Sequence, residues 1–162
     1  MKKYSWIIVL LNLVLFMGLF NYSVVKKERL LSDGKLILLE LAPVDPRSLM
    51  QGDYMDLRYA ISDNLFNDGI SKRGFCVVRL DADGVGQKVR IQDHRTPKNE
   101  GELLIEYTSK KWFGINIGAE SFFFQEGQSQ KYEDAKYGGI RVDDDGNSIL
   151  VGLYDANRKK IE

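Results

Sequence analysis

The sequence contains few of the residues that build covalent or metal-bound sites. Its 162 residues include one cysteine, one histidine and three prolines. One cysteine excludes an intramolecular disulfide and any cysteine-rich metal site. Because Cys76 has apolar neighbours on both sides, we expect a small buried thiol. The three prolines and the lack of low-complexity tracts leave no linker long enough for a second soluble domain.

No excess of either charge is present: 23 Lys and Arg residues balance 23 Asp and Glu residues. Nucleic-acid-binding proteins usually carry a basic stripe interleaved with aromatic residues, which this chain lacks, so no nucleic-acid partner is expected. The motifs of nucleotide-binding loops, zinc proteases and serine hydrolases are also missing, and no cofactor is expected. The single histidine, His94, lies in a polar segment typical of a solvated loop, which disfavours a Ser-His-Asp triad.

Charged residues are absent from Tyr4 to Val25, and aromatic residues typical of membrane interfaces lie near both ends of this stretch, Tyr4 and Trp6 at one and Tyr22 at the other. As a helix it would cover about 33 Å, enough for a hydrocarbon core of roughly 30 Å. The apolar run is longer than that of a cleaved signal peptide, and no small-residue cleavage pattern follows it. The sequence therefore predicts an uncleaved, single-pass signal anchor. Basic residues flank it on both sides, and their balance leans slightly towards a cytoplasmic C-terminal domain.

The hydrophobic pattern changes after the turn signal Asp33-Gly34. We assign residues 1–32 to the anchor with a short helical extension, and residues 33–162 to one β-rich domain. Residues 53–61 alternate between apolar and polar side chains, which is typical of a half-buried antiparallel strand. Further strands are predicted at 35–41 and 102–108, and hairpins at 75–91 and 140–154, whose turns contain Asp81-Ala82-Asp83-Gly84 and Asp143-Asp144-Asp145-Gly146-Asn147.

These patterns predict a mainly β fold, an antiparallel sheet or barrel-like domain with one N-terminal transmembrane helix. A single further helix is predicted over residues 127–137, with Tyr132 and Ala135 on its buried side. The acidic turn that begins at Asp143 does not have the spacing of a calcium-binding loop, because its glycine is fourth rather than sixth. We therefore expect a hairpin turn there and no metal site.

The most specific pattern is Gly52-Asp53-Tyr54-Met55-Asp56-Leu57-Arg58-Tyr59. It resembles the motif of the GDYXXLXY family, small bacterial proteins with one membrane anchor and no established biochemical activity. All specified positions match: Gly52, Asp53, Tyr54, Leu57 and Tyr59. The preceding Asp45, Pro46 and Arg47 predict a stiff, extended connection, since proline fixes its own φ and restricts the residue before it.

A second segment is similar to the C-terminal part of the same family. Its candidate partner-binding residues are Phe124, Glu126, Gly127, Tyr132 and Tyr137. The three consecutive phenylalanines 122–124 cannot all face one side of a strand, so at least one should point away from the core or be covered by a helix. If the outward residues form a patch, Tyr59, Tyr132 and Tyr137 are candidate interface anchors.

The resemblance implies an exported domain on a bacterial cytoplasmic (inner) membrane, and a non-enzymatic accessory or assembly role beside a polytopic membrane protein. Two alternatives stay open. One is a membrane-tethered hydrolase in which Asp45 acts with Asp53 or Glu126, because paired carboxylates can perform acid–base chemistry. The other is a small-ligand sensor with an apolar pocket beside residues 122–124.

Overall fold

The computed structural model describes residues 5–42, 54–62, 70–110 and 114–162. Five of the candidate residues lie outside these ranges: Asp45, Pro46, Arg47, Gly52 and Asp53. Within the described ranges a long helix precedes nine strands and one very short helix, as the sequence predicts. The fold class, mainly β with antiparallel pairing and a curled half-barrel sheet, is confirmed.

The N-terminal helix, α1, covers Ser5–Asp33. It is long and apolar enough to cross a membrane, and none of its apolar stretch is buried against the rest of the chain. Its large side chains, including Trp6, Phe16 and Tyr22, are exposed on all sides. This is consistent with the predicted single-pass anchor, because a helix that is apolar all round requires an apolar environment.

The strands form three antiparallel sheets with the orders β1-β8-β9, β2-β7 and β4-β3-β5-β6. Their bounds are β1 Lys35–Glu40, β2 Tyr54–Asp56, β3 Arg73–Leu80, β4 Gly86–Gln92, β5 Glu102–Lys110, β6 Gly114–Asn116, β7 Ser121–Phe123, β8 Tyr137–Val142 and β9 Ser148–Tyr154. Both predicted hairpins, β3–β4 and β8–β9, are confirmed.

Main-chain hydrogen bonds join the larger sheets at two turns. The N–H of Leu38 in β1 donates to the carbonyl of Gly84 in the β3–β4 turn (3.2 Å). The N–H of Glu106 in β5 donates to the carbonyl of Gly146 in the β8–β9 turn (2.8 Å). The inner faces enclose one apolar core, in which Cys76 is fully buried as predicted. Burial raises the pKa of that thiol to about 12, so it remains protonated at neutral pH.

Three turns of the domain share one geometry. In each, an aspartate carboxylate accepts hydrogen bonds from the N–H groups two and four residues later, at 2.8–3.0 Å. The aspartates are Asp81, Asp143 and Asp155. The third residue after each has a positive φ, which glycine supplies at 84 and 146 and Arg158 supplies in the last turn. These carboxylates hold their own turns, and no metal-binding group occurs among the described residues.

Two predicted elements are shorter than expected. The strand predicted over 53–61 is regular only in β2, although its alternation of burial continues to Ile61 in a 3₁₀ turn, Ala60–Ser62. The second helix, α2, covers only Ser129–Tyr132 instead of 127–137. It ends early because Tyr137 is recruited into β8, where strand pairing on both sides outweighs the helix propensity of the preceding polar residues.

The end of α1 is attached to the β8–β9 hairpin. Leu30 is buried against the domain, and the N–H of Gly34 donates to the Leu30 carbonyl (3.1 Å). The guanidinium of Arg141 donates to the carbonyls of Ser32 (3.1 Å) and Gly34 (2.8 Å). Arg141 therefore satisfies main-chain acceptors at the helix end, where a cation also favours the helix dipole.

Glu102 at the start of β5 is the one almost fully buried charged residue in the described part of the chain. Arg90 binds its carboxylate with two parallel hydrogen bonds of 2.7 and 2.8 Å. Asn99 adds a main-chain N–H (2.9 Å) and its side-chain amide (3.1 Å). The hydrogen bonds from Arg90, and next the N–H of Asn99, lower the pKa of Glu102 to about 2.

Candidate functional site

The described part of the motif, residues 54–59, runs as an extended segment through the middle of the domain. Its first residues pair with β7, and the N–H of Leu57 donates to the carbonyl of Glu120 (2.6 Å). On its other side, the carbonyl of Arg58 accepts from the N–H of Ala42 just after β1 (2.7 Å). The motif segment therefore bridges the end of β1 and the β6–β7 region.

Alternate side chains of the motif segment enter the core. Met55, Leu57 and Tyr59 are each less than 5% exposed. The hydroxyl of Tyr59 donates a hydrogen bond to the carbonyl of Ala119 (2.6 Å). Burial, and next the nearby carboxylate of Glu120, raises the pKa of this phenol far above its ordinary value. Two of the motif's defining side chains, Leu57 and Tyr59, thus maintain the fold.

The motif's other described tyrosine points outward. Tyr54 lies directly opposite Phe123 in the β2–β7 pair, and their rings are 6.0 Å apart between centroids. Tyr54 is 39% exposed and Phe123 is 74% exposed. We call these two residues the aromatic pair. The prediction that one of the three phenylalanines points away from the core is confirmed, and that residue is Phe123.

The two flanking phenylalanines turn inward and are covered by α2. The ring of Tyr132 contacts Phe122 edge-on at 4.9 Å and Phe124 at 5.6 Å between centroids. Tyr132 itself is 9% exposed. Because Tyr59 and Tyr132 are both buried, neither is available as a surface anchor. The exposed aromatic side chains at this location are those of the aromatic pair.

Two clefts flank the motif segment. One, of about 330 Å³, lies between the segment, the end of β1 and α2, with Leu57, Tyr132 and Lys136 among its lining. The other, of about 430 Å³, lies between the segment and β6, with Tyr59, Asn116 and Glu120 among its lining. Of the inward aromatic cluster, Tyr132 contributes to the first cleft, while Phe122 and Phe124 pack on its ring.

The sequence reasoning missed Glu120. Its half-buried carboxylate accepts a hydrogen bond from the main-chain N–H of Ile117 and lies close enough to Tyr59 to raise that phenol's pKa. Burial raises the pKa of Glu120 itself, although the surrounding N–H groups, led by Ile117, oppose that shift. One signal was present: among residues 114–124, otherwise apolar or neutral, Glu120 is the only charged residue.

The remaining predicted residues are separate from this segment. Glu126 and Gly127 are exposed in the loop before α2, and Tyr137 is half-buried in β8 opposite Glu40 and Tyr154. Glu126 is the one described member of the proposed hydrolase carboxylates. His94 is exposed, as expected, and its carbonyl accepts a hydrogen bond from the Gln92 side chain (2.6 Å).

Comparison with known proteins gives one match. The family model described as GDYXXLXY protein matches residues 16–153, from the middle of α1 to the penultimate residue of β9. No curated protein and no solved structure matches the chain. The match includes the second half of the anchor helix together with nearly the whole β-rich domain, and the chain therefore belongs to the GDYXXLXY family.

Proposed function

We propose that this protein is a non-enzymatic accessory or assembly subunit that acts beside a polytopic membrane protein. In this proposal α1 is a single-pass anchor in a bacterial cytoplasmic membrane, and the β-rich domain lies on the extracytoplasmic side. The domain binds the partner through the outer face of the β2–β7 pair. Its role is to hold or complete the partner rather than to transform a substrate.

The aromatic pair carries this proposal. Tyr54 and Phe123 place two large rings side by side on the outside of a small domain. The motif's other described defining side chains, Leu57 and Tyr59, are buried. Exposed clusters of large apolar side chains are uncommon on soluble monomers and mark interaction sites. Tyrosine is enriched among residues that dominate binding energy, since it offers apolar area together with a polar hydroxyl.

The anchor supports a partner within the membrane. The apolar side chains of α1 are exposed around the whole helix, so any side can contact another transmembrane helix. The helix continues without a break to Asp33 and is attached to β8 by Leu30 and Arg141. The side of the helix that the partner contacts therefore determines the direction in which the domain faces.

Site-specific photocrosslinking in native membranes tests the docking face. A photoreactive phenylalanine at position 123 should crosslink to a membrane protein with several spans, identified by mass spectrometry. The matched control is the same residue at position 89, since Val89 is also exposed (45%) but lies on β4. Equal crosslinking from both positions, or no polytopic product from position 123, would contradict the proposal.

Substitution of the aromatic pair gives an independent test. Tyr54→Ala combined with Phe123→Ser should reduce co-purification of that partner in mild detergent by about tenfold or more, as expected for interface anchors. Val89→Ser, a comparable change on β4, should leave co-purification unaltered. Retention of the partner by the double variant, with the fold intact by circular dichroism, would place the interface elsewhere.

The lone buried thiol allows the orientation to be tested. Because Cys76 is buried and its pKa is raised to about 12, an introduced cysteine at the exposed Asn157 should be the only reactive one. Asn157→Cys should react with a membrane-impermeant maleimide in intact spheroplasts. Reaction only after the membrane is broken would contradict the extracytoplasmic placement.

A further inference from the structure

A cleft of about 380 Å³ lies where α1 meets the β8–β9 hairpin. One wall is the last part of α1, with the basic side chains of Lys26 and Arg29. The opposite wall is the hairpin turn, with the acidic side chains of Asp144 and Asp145. We call this space the junction cleft. The helix side also includes the carboxylate of Asp33 and the ammonium of Lys35 at the start of β1, so it is predominantly basic, whereas the hairpin side is acidic.

The junction cleft lies at the depth where lipid headgroups begin. Lys26 is the first charged residue after the apolar stretch of α1, and its ammonium group donates to the side-chain oxygen of Asn147 in the hairpin turn (3.2 Å). If α1 spans the membrane, Lys26 marks the boundary of the hydrocarbon core, and the turn lies at the same level. This location rests on the anchoring part of the proposed function.

The cations of the junction cleft retain bonding capacity. The guanidinium of Arg29 has no hydrogen-bond or ion-pair partner within the described ranges, and Lys26 contacts only the neutral amide oxygen of Asn147. A guanidinium and an ammonium together are well suited to a phosphodiester, because arginine binds phosphate oxygens in a fork and lysine binds them as a point charge.

The acidic wall is available for a cation. Asp144 is fully exposed and 3.7 Å from the ammonium of Lys98, and Asp145 pairs with Arg95 at 2.8 Å with both side chains more than half exposed. Such exposed pairs contribute little to stability and exchange partners readily. A primary ammonium group entering the cleft can therefore bind these carboxylates without breaking a buried interaction.

We propose that the junction cleft binds the headgroup of a zwitterionic phospholipid that carries a primary ammonium, that is, an ethanolamine phospholipid. Its phosphate contacts Lys26 and Arg29, and its ammonium contacts Asp144 and Asp145. A purely anionic headgroup has no cation for the acidic wall. A choline headgroup has no N–H donor for the carboxylates. The bound lipid fills the space between helix and hairpin.

Lipid selectivity of the full-length protein tests this proposal. The protein is reconstituted into nanodiscs with equal amounts of ethanolamine, glycerol and choline phospholipids, and the lipids that remain bound after release are counted by native mass spectrometry. We expect the ethanolamine lipid to be retained preferentially. Both Arg29→Gln and the double variant Asp144→Asn with Asp145→Asn should reduce that retention by about tenfold, as expected for lost charge-assisted contacts.

Arg73→Gln is the matched control, since Arg73 is an exposed arginine on β3 away from the cleft and its substitution should leave retention unchanged. Preferential retention of the anionic lipid, or equal retention of all three, would overturn the proposal. So would an unchanged pattern in the cleft variants. Because no partner is present in this assay, its failure leaves partner docking standing, whereas failure of α1 to insert into the nanodisc would overturn both.

Discussion

The ring of Tyr59 lies directly against Gly138, so closely that a Cβ atom at position 138 would be 2.7 Å from the ring's Cε1 atom and 2.9 Å from its hydroxyl oxygen. The last residue of the motif is thereby packed against the first glycine of β8, which is distant from it in the sequence. The contact explains why a tyrosine-sized side chain and a residue without a side chain occur at these two positions.

Gly138→Ala should destabilise the domain by about 1–3 kcal/mol, because the added methyl group overpacks a fully buried site. Urea unfolding of the full-length protein in detergent, followed by tryptophan fluorescence, measures this. In the background of Tyr59→Leu, which removes the ring, the penalty for Gly138→Ala should become smaller. An equal penalty in both backgrounds would show that the ring is not the obstacle.

Two buried tyrosines should respond oppositely to loss of the hydroxyl. Tyr59→Phe removes the hydrogen bond to Ala119 and should cost about 1 kcal/mol. Tyr107→Phe should be neutral or stabilising, since the Tyr107 hydroxyl is buried without a hydrogen-bond partner among the described residues. The two variants are compared by their urea midpoints. A larger loss in Tyr107→Phe than in Tyr59→Phe would contradict this assignment.

Glu102 should make stability depend on pH in an acidic window. Its pKa falls to about 2 in the folded state, compared with about 4.3 in an unfolded chain. A lowered folded pKa means that the stabilisation is complete above the unfolded value and is lost as pH falls through the folded value. Glu102→Gln should therefore be less stable than wild type at neutral pH, with the difference shrinking towards pH 2.

The control for that experiment is Glu100→Gln, since Glu100 is an exposed glutamate in the turn just before β5. The urea midpoint of Glu100→Gln should equal the wild-type urea midpoint at each pH tested. A constant difference between Glu102→Gln and wild type over this pH range would mean that Glu102 does not titrate as assigned.

At position 158, glycine should give a more stable protein than alanine, which is the reverse of the usual order. Arg158 has φ of 62°, at the place where the two sister turns have Gly84 and Gly146. Both Arg158→Ala and Arg158→Gly lose the ion pair to Asp83 (3.1 Å), but only glycine relieves the left-handed backbone. Arg158→Gly should therefore be more stable than Arg158→Ala by about 1 kcal/mol, measured by thermal unfolding. Alanine being the more stable would refute the backbone argument.

Local patterns of the sequence predicted much of the fold. Period-two alternation identified the faces of residues 54–61, and Asp-Gly pairs located both hairpin turns. The strand order was not predictable, because it depends on contacts between distant segments such as that of Tyr59 with Gly138. The early end of α2 belongs to the same category, since it is decided by the pairing of Tyr137 with β1 and β9.

The candidate site was predicted only in outline. The motif indicated the correct segment, and its alternation put Tyr54 and Tyr59 on opposite faces, but Tyr59, which is buried, was still taken as a candidate interface anchor. Alternate side chains of an extended chain point to opposite faces, so the two tyrosines differ because one face lies against the core. The same rule explains why Phe123 is exposed. The sequence could not show this, because residues 122–124 are all phenylalanine and no polar residue marks the outward position. The role of Glu120 could not be predicted from the sequence, because it depends on the residues that pack around its carboxylate.

Because α1 continues without a break to the domain, it fixes the rotational orientation of the domain about the helix axis. A helix turns by about 100° per residue. In the proposed arrangement, the side of α1 that contacts the partner in the bilayer therefore determines the direction in which the aromatic pair points. One residue inserted in the apolar stretch, before Lys26, would rotate the whole domain about the membrane normal by about 100°. The contacts within the domain would not change. If the protein docks as proposed, the length of the anchor is therefore as important for the docking geometry as the aromatic pair itself.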